Sequence, residues 1–208
     1  MRVLTVFCHP NRQSYTGACM DAFHAGLEDG GHEWEMADLY AEGFDPVFKS
    51  VDFAQFTSGP QDMPEEILRE QARITRADAV AFVFPIWWWS FPAMLKGWFE
   101  RVWCCGWAYD FTIERSTGRL GLSKAVMICP GGTAVGTYRR YGYHESMRRT
   151  MDAGLMGYCG VDDVEMHIFP AVDDNASARK EYLEVAYKIG QNFSPSDEVI
   201  TLSSHSRV

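Results

Sequence analysis

Short apolar segments alternate with helical patterns along the whole chain, and this alternation limits the fold more than any other feature of the sequence. Five segments have the length and composition of strands, at residues 3–8, 33–38, 79–84, 124–129 and 164–169. Helices are predicted at about 14–30, 64–76, from Pro92 onward, near 146–157 and at 176–193. Strands that alternate with helices in this way predict a parallel sheet that is covered on both faces.

Five strands of this kind fit a doubly wound α/β fold of the flavodoxin-like type, a five-stranded parallel sheet with strand order 2-1-3-4-5. A chain of 208 residues is long enough for one such domain, so we predict a single domain over 1–208 with a flexible tail from about 195 to 208. Residues 39–64 are predicted to form a long connection. In this fold the loops after strands 1, 3 and 4 converge at the carboxyl edge of the sheet, where ligands bind.

Charge and composition exclude several classes of function. The net charge is −9 and no basic stripe is present, which argues against nucleic acid as a partner. The six cysteines show no CxxC spacing and no clustering with histidine, so we expect free thiols and no metal site. No apolar run approaches the roughly 20 residues that cross a bilayer, and a strand that starts at Arg2 leaves no room for a signal peptide. We therefore expect a cytoplasmic protein.

The loop after strand 1 carries groups that suit an anion. His9, Arg12, Ser14, Tyr15 and Thr16 lead directly into a helix. The helix N-terminus offers free amide N–H groups and a partial positive charge, which together favour a phosphate or pyrophosphate. The alternative is that Ser14 or Thr16 only caps the helix.

The loop after strand 3 is dominated by tryptophan. It contains Pro85, Ile86, Trp87, Trp88 and Trp89. Large aromatic side chains on a strand-to-helix turn cannot all face inward, so we expect them to pack against a flat aromatic ligand. The alternative is that they belong to the core or to a dimer interface.

The loop after strand 4 combines two glycines with later polar side chains. Gly131 and Gly132 allow the backbone to approach a ligand closely. Tyr138 and His144 follow, and both can donate hydrogen bonds to a ring carbonyl that gains negative charge on reduction. A flavin fits all three loops. Its phosphate tail suits the first loop, its flat ring suits the second, and the negative charge that its ring gains on reduction suits the third.

The stretch from Pro85 to Tyr109 also resembles a known family. The segments FPAMLKGWFERV (91–102) and WAYDF (107–111) match the NAD(P)H:quinone oxidoreductase (DT-diaphorase) family almost residue for residue. The segments at 38–40 and 44–46 match as well, and the resemblance to the short bacterial members covers roughly residues 2–190. It implies a flavodoxin fold and a homodimer with active sites at the subunit boundary. It also implies ping-pong transfer of two electrons, as a hydride, from NAD(P)H to a quinone.

The resemblance implies a role for each matching residue. FAD is the expected cofactor, with FMN as the alternative. Flavin phosphates would contact His9, Ser14, Tyr15 and Thr16, and Pro85 to Trp89 together with Gly131 and Gly132 would line the isoalloxazine ring. Tyr138 and His144 would stabilise negative charge on the reduced ring. Tyr109 and Phe111 would contact the substrate in the partner's site. Arg179 would contact the adenosine of FAD.

Some features depart from the family pattern and leave alternatives open. Cys129-Pro130 stands where the family often has two threonines. The segment after Gly132 is one residue longer than in the mammalian enzyme, so Tyr141 and Tyr143 are alternatives to Tyr138. Three other functions remain: an azo- or nitroaromatic reductase, a regulatory flavoprotein subunit of a glutathione-gated potassium-efflux antiporter in the membrane, and a one-electron carrier.

Overall fold

The computed structural model describes residues 1–58, 63–112, 116–173 and 175–195. The predicted tail lies outside these residues except for its first one. None of the described helices is long and apolar enough to cross a membrane. The single-domain assignment stays a prediction.

Seven strands form one large sheet and one small hairpin. Their bounds are β1 Arg2–Phe7, β2 Glu33–Asp38, β3 Ala79–Val83, β4 Tyr109–Phe111, β5 Ser116–Gly118, β6 Ala125–Pro130 and β7 Val164–Phe169. The five long strands are parallel and have the spatial order β2-β1-β3-β6-β7. This confirms the predicted doubly wound sheet, whose five strands correspond to these in chain order. The antiparallel hairpin of β4 and β5 was not predicted.

Helices cover both faces of the sheet. Their bounds are α1 Tyr15–Asp29, α2 Ser50–Ser58, α3 Glu65–Arg76, α4 Ala93–Val102, α5 Val135–Tyr141, α6 Tyr143–Met147 and α7 Ala176–Gln191, with a π-helical segment at Arg148–Met156 and a short 3₁₀ turn at Gly157–Cys159. Two expectations are corrected. The connection at 39–64 contains α2, and the tyrosines after strand 4 lie on α5 and α6 rather than in a loop.

Alternate residues of each central strand face opposite sides of the sheet, which produces two cores. Leu4 and Val80 belong to the core under α3 and α4, whereas Val3 and Ala79 belong to the core under α1 and α7. All four are at most 1% exposed. Continuous apolar strands therefore result from burial on both faces.

Helix α3 is held partly by buried polar groups. Ala72, an apolar residue of this helix, is exposed. Glu70 is buried instead, where its carboxylate accepts a hydrogen bond of 3.0 Å from Trp98 Nε1. Gln71 donates from Nε2 to the carbonyl of Val102 at 2.9 Å, which links α3 to the end of α4. A buried carboxylate is tolerated at position 70 because it is both hydrogen-bonded and paired with Arg73 at 2.9 Å.

A buried arginine fixes α2 against the rest of the molecule. The side chain of Arg101 on α4 has no exposed surface, and its Nε donates to the Asp52 carboxylate at 2.9 Å. The same guanidinium donates to the carbonyl of Asp45 at 2.6 Å and pairs with Glu66 at 2.6 Å. Asp45, Asp52 and Glu66 are therefore held around one cation.

Helices α1 and α7 cross at two glycines. A Cβ on Gly26 would overlap the carbonyl oxygen of Tyr187, and a Cβ on Gly190 would overlap that of Phe23. The two backbones are therefore in direct contact. This contact holds α7 over α1, so that both helices begin at the carboxyl edge of the sheet.

Candidate functional site

Four loops meet at the carboxyl edge of the sheet and enclose a cavity of about 360 Å³. They follow β1, β3, β6 and β7. A cavity of this size lies within the range of small-molecule sites. Its lining consists of His9, Ser14, Tyr15, Thr16, Pro85, Ile86, Trp87, Pro130, Gly131, Gly132, Val172 and Asp173.

The β1 loop presents unpaired donors to this cavity. Ser14 caps α1, since its hydroxyl oxygen accepts a hydrogen bond of 3.2 Å from the Gly17 amide. The amide N–H groups of Tyr15 and Thr16 have no acceptor within the described ranges. The His9 Nδ1 atom lies 2.9 Å from the Asn11 carbonyl oxygen and 3.0 Å from the Asn11 amide nitrogen, so the ring is held against the loop. This wall of the cavity is therefore suited to an anion.

Arg12 does not take part in that wall. Its guanidinium pairs with the Asp21 carboxylate and lies 5.7 Å from the centre of the Phe7 ring. It was expected to add a donor for phosphate. The ion pair holds it on the outer surface of α1 instead.

The tryptophans after β3 form a tight turn with an unusual backbone. The Ser90 amide donates to the carbonyl of Trp87 at 3.2 Å, and Trp88 and Trp89 have φ angles of 53° and 54°. Both residues are thus in the left-handed region, which is strained for a bulky side chain. Of the three indoles only that of Trp87 lines the cavity, 6.1 Å from the His9 ring.

Trp88 projects into solvent at the mouth of the cavity. Its side chain is 88% exposed, whereas Trp89 packs on Tyr143 with ring centres 4.2 Å apart. Trp87 therefore lines the cavity, Trp88 is exposed to solvent, and Trp89 packs on Tyr143. Their predicted contact with a flavin ring stays a prediction for all three.

The β6 loop approaches the cavity through its glycines. The Tyr138 hydroxyl lies 2.8 Å from the position that a Cβ on Gly131 would take. A Cβ on Gly132 would overlap the Asp173 carboxylate. Cys129 is fully buried in the core under α3 and α4, so its side chain does not take the place of the threonine that the family often has there.

Tyr138 and His144 occupy different environments. Tyr138 on α5 is 5% exposed, and burial raises the pKa of its phenol. His144 is exposed and lines a second cavity of about 550 Å³, which it shares with Tyr138 and His167. The described structure therefore brings Tyr138 to the crevice glycine, whereas His144 lines the second cavity and does not line the crevice.

The two alternative tyrosines lie elsewhere. Tyr141 is 60% exposed and stacks on Tyr143 with ring centres 5.4 Å apart. Tyr143 in turn packs on Trp89. Of the three tyrosines, Tyr138 alone is recorded beside Gly131.

Arg179 contacts the site through Tyr15. Its guanidinium lies 5.8 Å from the centre of the Tyr15 ring, and its carbonyl accepts a hydrogen bond of 2.7 Å from the Tyr15 hydroxyl. The arginine side chain itself is exposed. It is therefore free to contact a ligand that extends past Tyr15.

Comparison with known proteins agrees with the fold described above. The sequence profile of the family described as "Flavodoxin-like fold" matches residues 1–191. A Haemophilus influenzae protein named an uncharacterized NAD(P)H oxidoreductase is 32% identical, over 89% of this chain and 92% of its own. NAD(P)H dehydrogenase [quinone] 1 of Cavia porcellus is 29% identical, over 79% of this chain and 66% of its own. A solved structure of an NAD(P)H:quinone oxidoreductase from Methanothermobacter marburgensis has a TM-score of 0.88 and 36% identity, over 93% of this chain and 99% of that one.

The chain belongs to the flavodoxin-like family. Its relatives within that family are named NAD(P)H oxidoreductases and quinone dehydrogenases, which confirms the resemblance and the oxidoreductase class that the sequence predicted.

Three lining residues of this flavodoxin-like chain were not predicted as site residues, namely Pro130 at the end of β6, Val172 and Asp173. Val172 and Asp173 line the cavity from the loop between β7 and α7. The sequence contained a signal, because an aspartate pair follows the fifth predicted strand and precedes a helix. Only the loops after strands 1, 3 and 4 were expected to contribute.

Tyr109 and Phe111 lie outside the crevice of their own chain. Tyr109 lines a separate cavity of about 530 Å³ and packs on Tyr158 with ring centres 5.1 Å apart. Phe111 is 59% exposed. Their predicted contact with a substrate in the partner's site stays a prediction.

Proposed function

We propose that this chain is an FAD-dependent NAD(P)H:quinone oxidoreductase that works by a ping-pong mechanism. The observation that carries the proposal is the crevice itself, in which the predicted residues of three separate loops line one cavity. The names of the relatives support the reductant and the acceptor. A flavin bound in the crevice supplies the hydride acceptor and donor.

The residues of the crevice fit such a group. The free amides of Tyr15 and Thr16 at the start of α1 suit its phosphates. Glycines at 131 and 132 let the Tyr138 hydroxyl and the Asp173 carboxylate approach the backbone that lines the crevice. Pro85 and Ile86 offer an apolar surface, which excludes water from a planar ring.

Tyr138 is the residue we assign to charge stabilisation. Its hydroxyl lies beside Gly131 and its raised pKa keeps it protonated at neutral pH. A protonated phenol donates a hydrogen bond to a carbonyl oxygen that gains negative charge. His144 would act behind Tyr138, since both line the second cavity.

FAD is preferred over FMN because the site extends beyond the phosphate wall. Tyr15 and Arg179 together present an aromatic ring and a free guanidinium at the outer end of the crevice. An adenosine group can stack on the ring and contact the cation.

The acceptor we assign is a quinone, and the assembly is a homodimer. Phe48, Tyr109 and Tyr158 line the 530 Å³ cavity, and Phe48 and Tyr158 are among the exposed large hydrophobic residues. An exposed aromatic surface of this kind is typical of a protein contact. The six free cysteines, four of them buried, support a cytoplasmic location.

The decisive experiment identifies the cofactor and then the reaction. Purified protein should be yellow and should release FAD on heating, as shown by chromatography. Reduction by NAD(P)H in the absence of acceptor should bleach the flavin, and a quinone such as menadione should restore its colour. Colourless protein that takes up neither FMN nor FAD would end the proposal, and faster turnover of an azo dye than of any quinone would favour the azoreductase alternative.

A further inference from the structure

Asp173 is an acidic side chain in a crevice that otherwise suits an anion. It lies on the loop between β7 and α7 and lines the cavity opposite the β1 loop. Its carboxylate lies where a Cβ on Gly132 would be, so this close approach requires glycine at that position. The function proposed above gives it no role.

The loop that carries Asp173 is held in place by the neighbouring loop. The Ala171 amide donates to the carbonyl of Thr133 at 3.1 Å, and the Val172 amide donates to that of Gly131 at 3.3 Å. Ala171 has a φ angle of 56°, a conformation that persists only where the surroundings enforce it. Asp173 therefore directly follows Ala171 and Val172, whose backbone amides are held by hydrogen bonds to the β6 loop.

The Asp173 carboxylate has free acceptor capacity. Within 1–58, 63–112, 116–173 and 175–195, no side chain or amide is recorded as donating a hydrogen bond to it. A carboxylate accepts hydrogen bonds from ligand hydroxyl groups and repels ligand phosphates. In dinucleotide-binding folds an acidic side chain commonly takes the ribose hydroxyls in this way.

The two candidate flavins differ in just these groups. The tail of FMN ends in a phosphomonoester, which carries about −1.5 to −2 charges at pH 7. The phosphates of FAD are diesters with one charge each, and they continue into a ribose with free hydroxyls. The two phosphates of FAD together carry about the same charge as that monoester, so repulsion acts on both flavins. We propose that Asp173 selects FAD over FMN by accepting a hydrogen bond from the adenosine ribose, which FMN lacks. This inference rests on the proposed flavin site.

Binding titrations of the apoprotein test the proposal without any activity measurement. Dissociation constants for FAD, FMN and riboflavin are measured by flavin fluorescence for the native protein and for Asp173→Asn. Removing one charge several ångströms from a phosphate changes affinity roughly three- to tenfold. We expect both FMN and FAD to gain from the lost charge, whereas FAD alone also loses the ribose hydrogen bond, so that the ratio of the FMN constant to the FAD constant falls by about tenfold. Riboflavin, which has no phosphate, should bind as before.

A matched control removes the same charge from the other edge of the sheet. Asp162 is exposed and precedes β7, so Asp162→Asn changes the net charge equally but far from the crevice. For Asp162→Asn, the ratio of the FMN dissociation constant to the FAD dissociation constant should equal that of the native protein. Asp173→Ala provides a second variant, in which FMN should again gain affinity. Thermal unfolding of each variant establishes that it is folded.

The outcomes separate the two proposals. If the native apoprotein binds neither flavin, the proposed function fails and this inference fails with it. If both flavins bind but the Asp173→Asn ratio stays within twofold of the native one, Asp173 does not select the cofactor. An equal gain for riboflavin and FMN would also overturn the proposal, because it would indicate added space rather than lost charge.

Discussion

Trp88 and Trp89 hold backbone conformations that tryptophan rarely adopts, at the mouth of the crevice. A left-handed φ angle costs a bulky residue of order 1 kcal/mol or more, and such residues cluster at ligand sites. Trp88 gains little packing in return, since it is 88% exposed. The strain and the exposure together indicate that this side chain is retained for a contact outside its own chain.

Replacing Trp88 by glycine should separate stability from activity. Trp88→Gly relieves the left-handed strain, so we expect the free energy of unfolding to rise by about 1 kcal/mol. The lost indole should lower quinone turnover several-fold. Urea unfolding and steady-state kinetics measure the two effects. Trp88→Ala is the control, because it removes the indole and keeps the strain, and equal stability of the two variants would contradict the strain argument.

The assignment of charge stabilisation to Tyr138 leads to a second prediction. Tyr138→Phe removes the only hydroxyl recorded beside Gly131 and should slow flavin reduction by NAD(P)H about tenfold or more, with flavin still bound. His144→Gln should have a smaller effect, because His144 is exposed and lines the second cavity rather than the crevice. Stopped-flow reduction measures both rates. A larger loss in the histidine variant would reverse the roles.

A buried histidine makes the fold sensitive to acid. His24 on α1 is 5% exposed, accepts or donates a hydrogen bond of 2.9 Å with the Thr5 hydroxyl, and stacks on Trp34 at 3.8 Å. Burial lowers the pKa of His24 from 6.5 to about 4. Between pH 6.5 and pH 4 the unfolded chain therefore binds a proton that the folded protein excludes, so stability is lost as the pH falls through this range.

Replacing this histidine should reduce the loss in acid. Protonation of the His24 imidazole in the unfolded chain accounts for about 2 kcal/mol of stability lost between pH 7 and pH 5. His24→Gln keeps a hydrogen-bonding partner for Thr5 but does not titrate, so its free energy of unfolding should fall less between these two pH values. Urea titrations at pH 7 and pH 5 provide the measurement. Parallel decreases in the variant and the native protein would show that His24 does not carry the effect.

At the scale of elements, the sequence predicts those parts of the fold that depend on local pattern. The five parallel strands were found because burial on both faces makes each a short apolar run. Helix α2 was missed because Arg101, far along the chain, holds it in place. The three-residue strands β4 and β5 are too short to produce a periodic pattern. Helix α5 was missed because it has a single buried residue, Tyr138, and so no apolar stripe.

In the candidate site too, the sequence predicts what depends on local pattern and misses what depends on tertiary contacts. Three of its four loops were identified because they follow apolar strands and contain recognisable groups. Asp173 was missed because its place in the crevice depends on the pairing of its loop with the β6 loop, which is a tertiary contact. His144 and Tyr138 are six residues apart, but two short helices direct them into different surroundings, which spacing alone does not show.

The crossing of α1 and α7 is a contact between elements that a single methyl group should disturb. Gly26→Ala would place a Cβ on the carbonyl oxygen of Tyr187, so we expect a loss of about 2 kcal/mol or more. Gly136→Ala is the control, since no atom lies within 4 Å of its added Cβ. Urea unfolding should show the first variant weakened and the second unchanged or slightly stabilised. Equal stability of the two would show that the helices can separate without cost.

At the scale of the whole molecule, the exposed aromatic side chains predict the assembly. A homodimer of 23.6 kDa chains would have a mass of about 47 kDa. Phe111→Asp places a charge on a residue that is 59% exposed in the single chain, so it should not unfold the protein. We expect this variant to sediment as a monomer and to lose quinone turnover while it keeps flavin. A native protein that sediments as a monomer at micromolar concentration would contradict the dimer.

The contact between Gly26 and Gly190 also has a consequence for synthesis on the ribosome. The first helix emerges more than a hundred and fifty residues before the helix that covers it, so the apolar surface of α1 stays uncovered until α7 has been synthesised. Long-range closure of this kind slows folding and exposes intermediates to aggregation. Chaperone dependence and loss of truncated chains should therefore concentrate at the C-terminal helix, although the catalytic crevice is built mainly from the first two thirds of the chain.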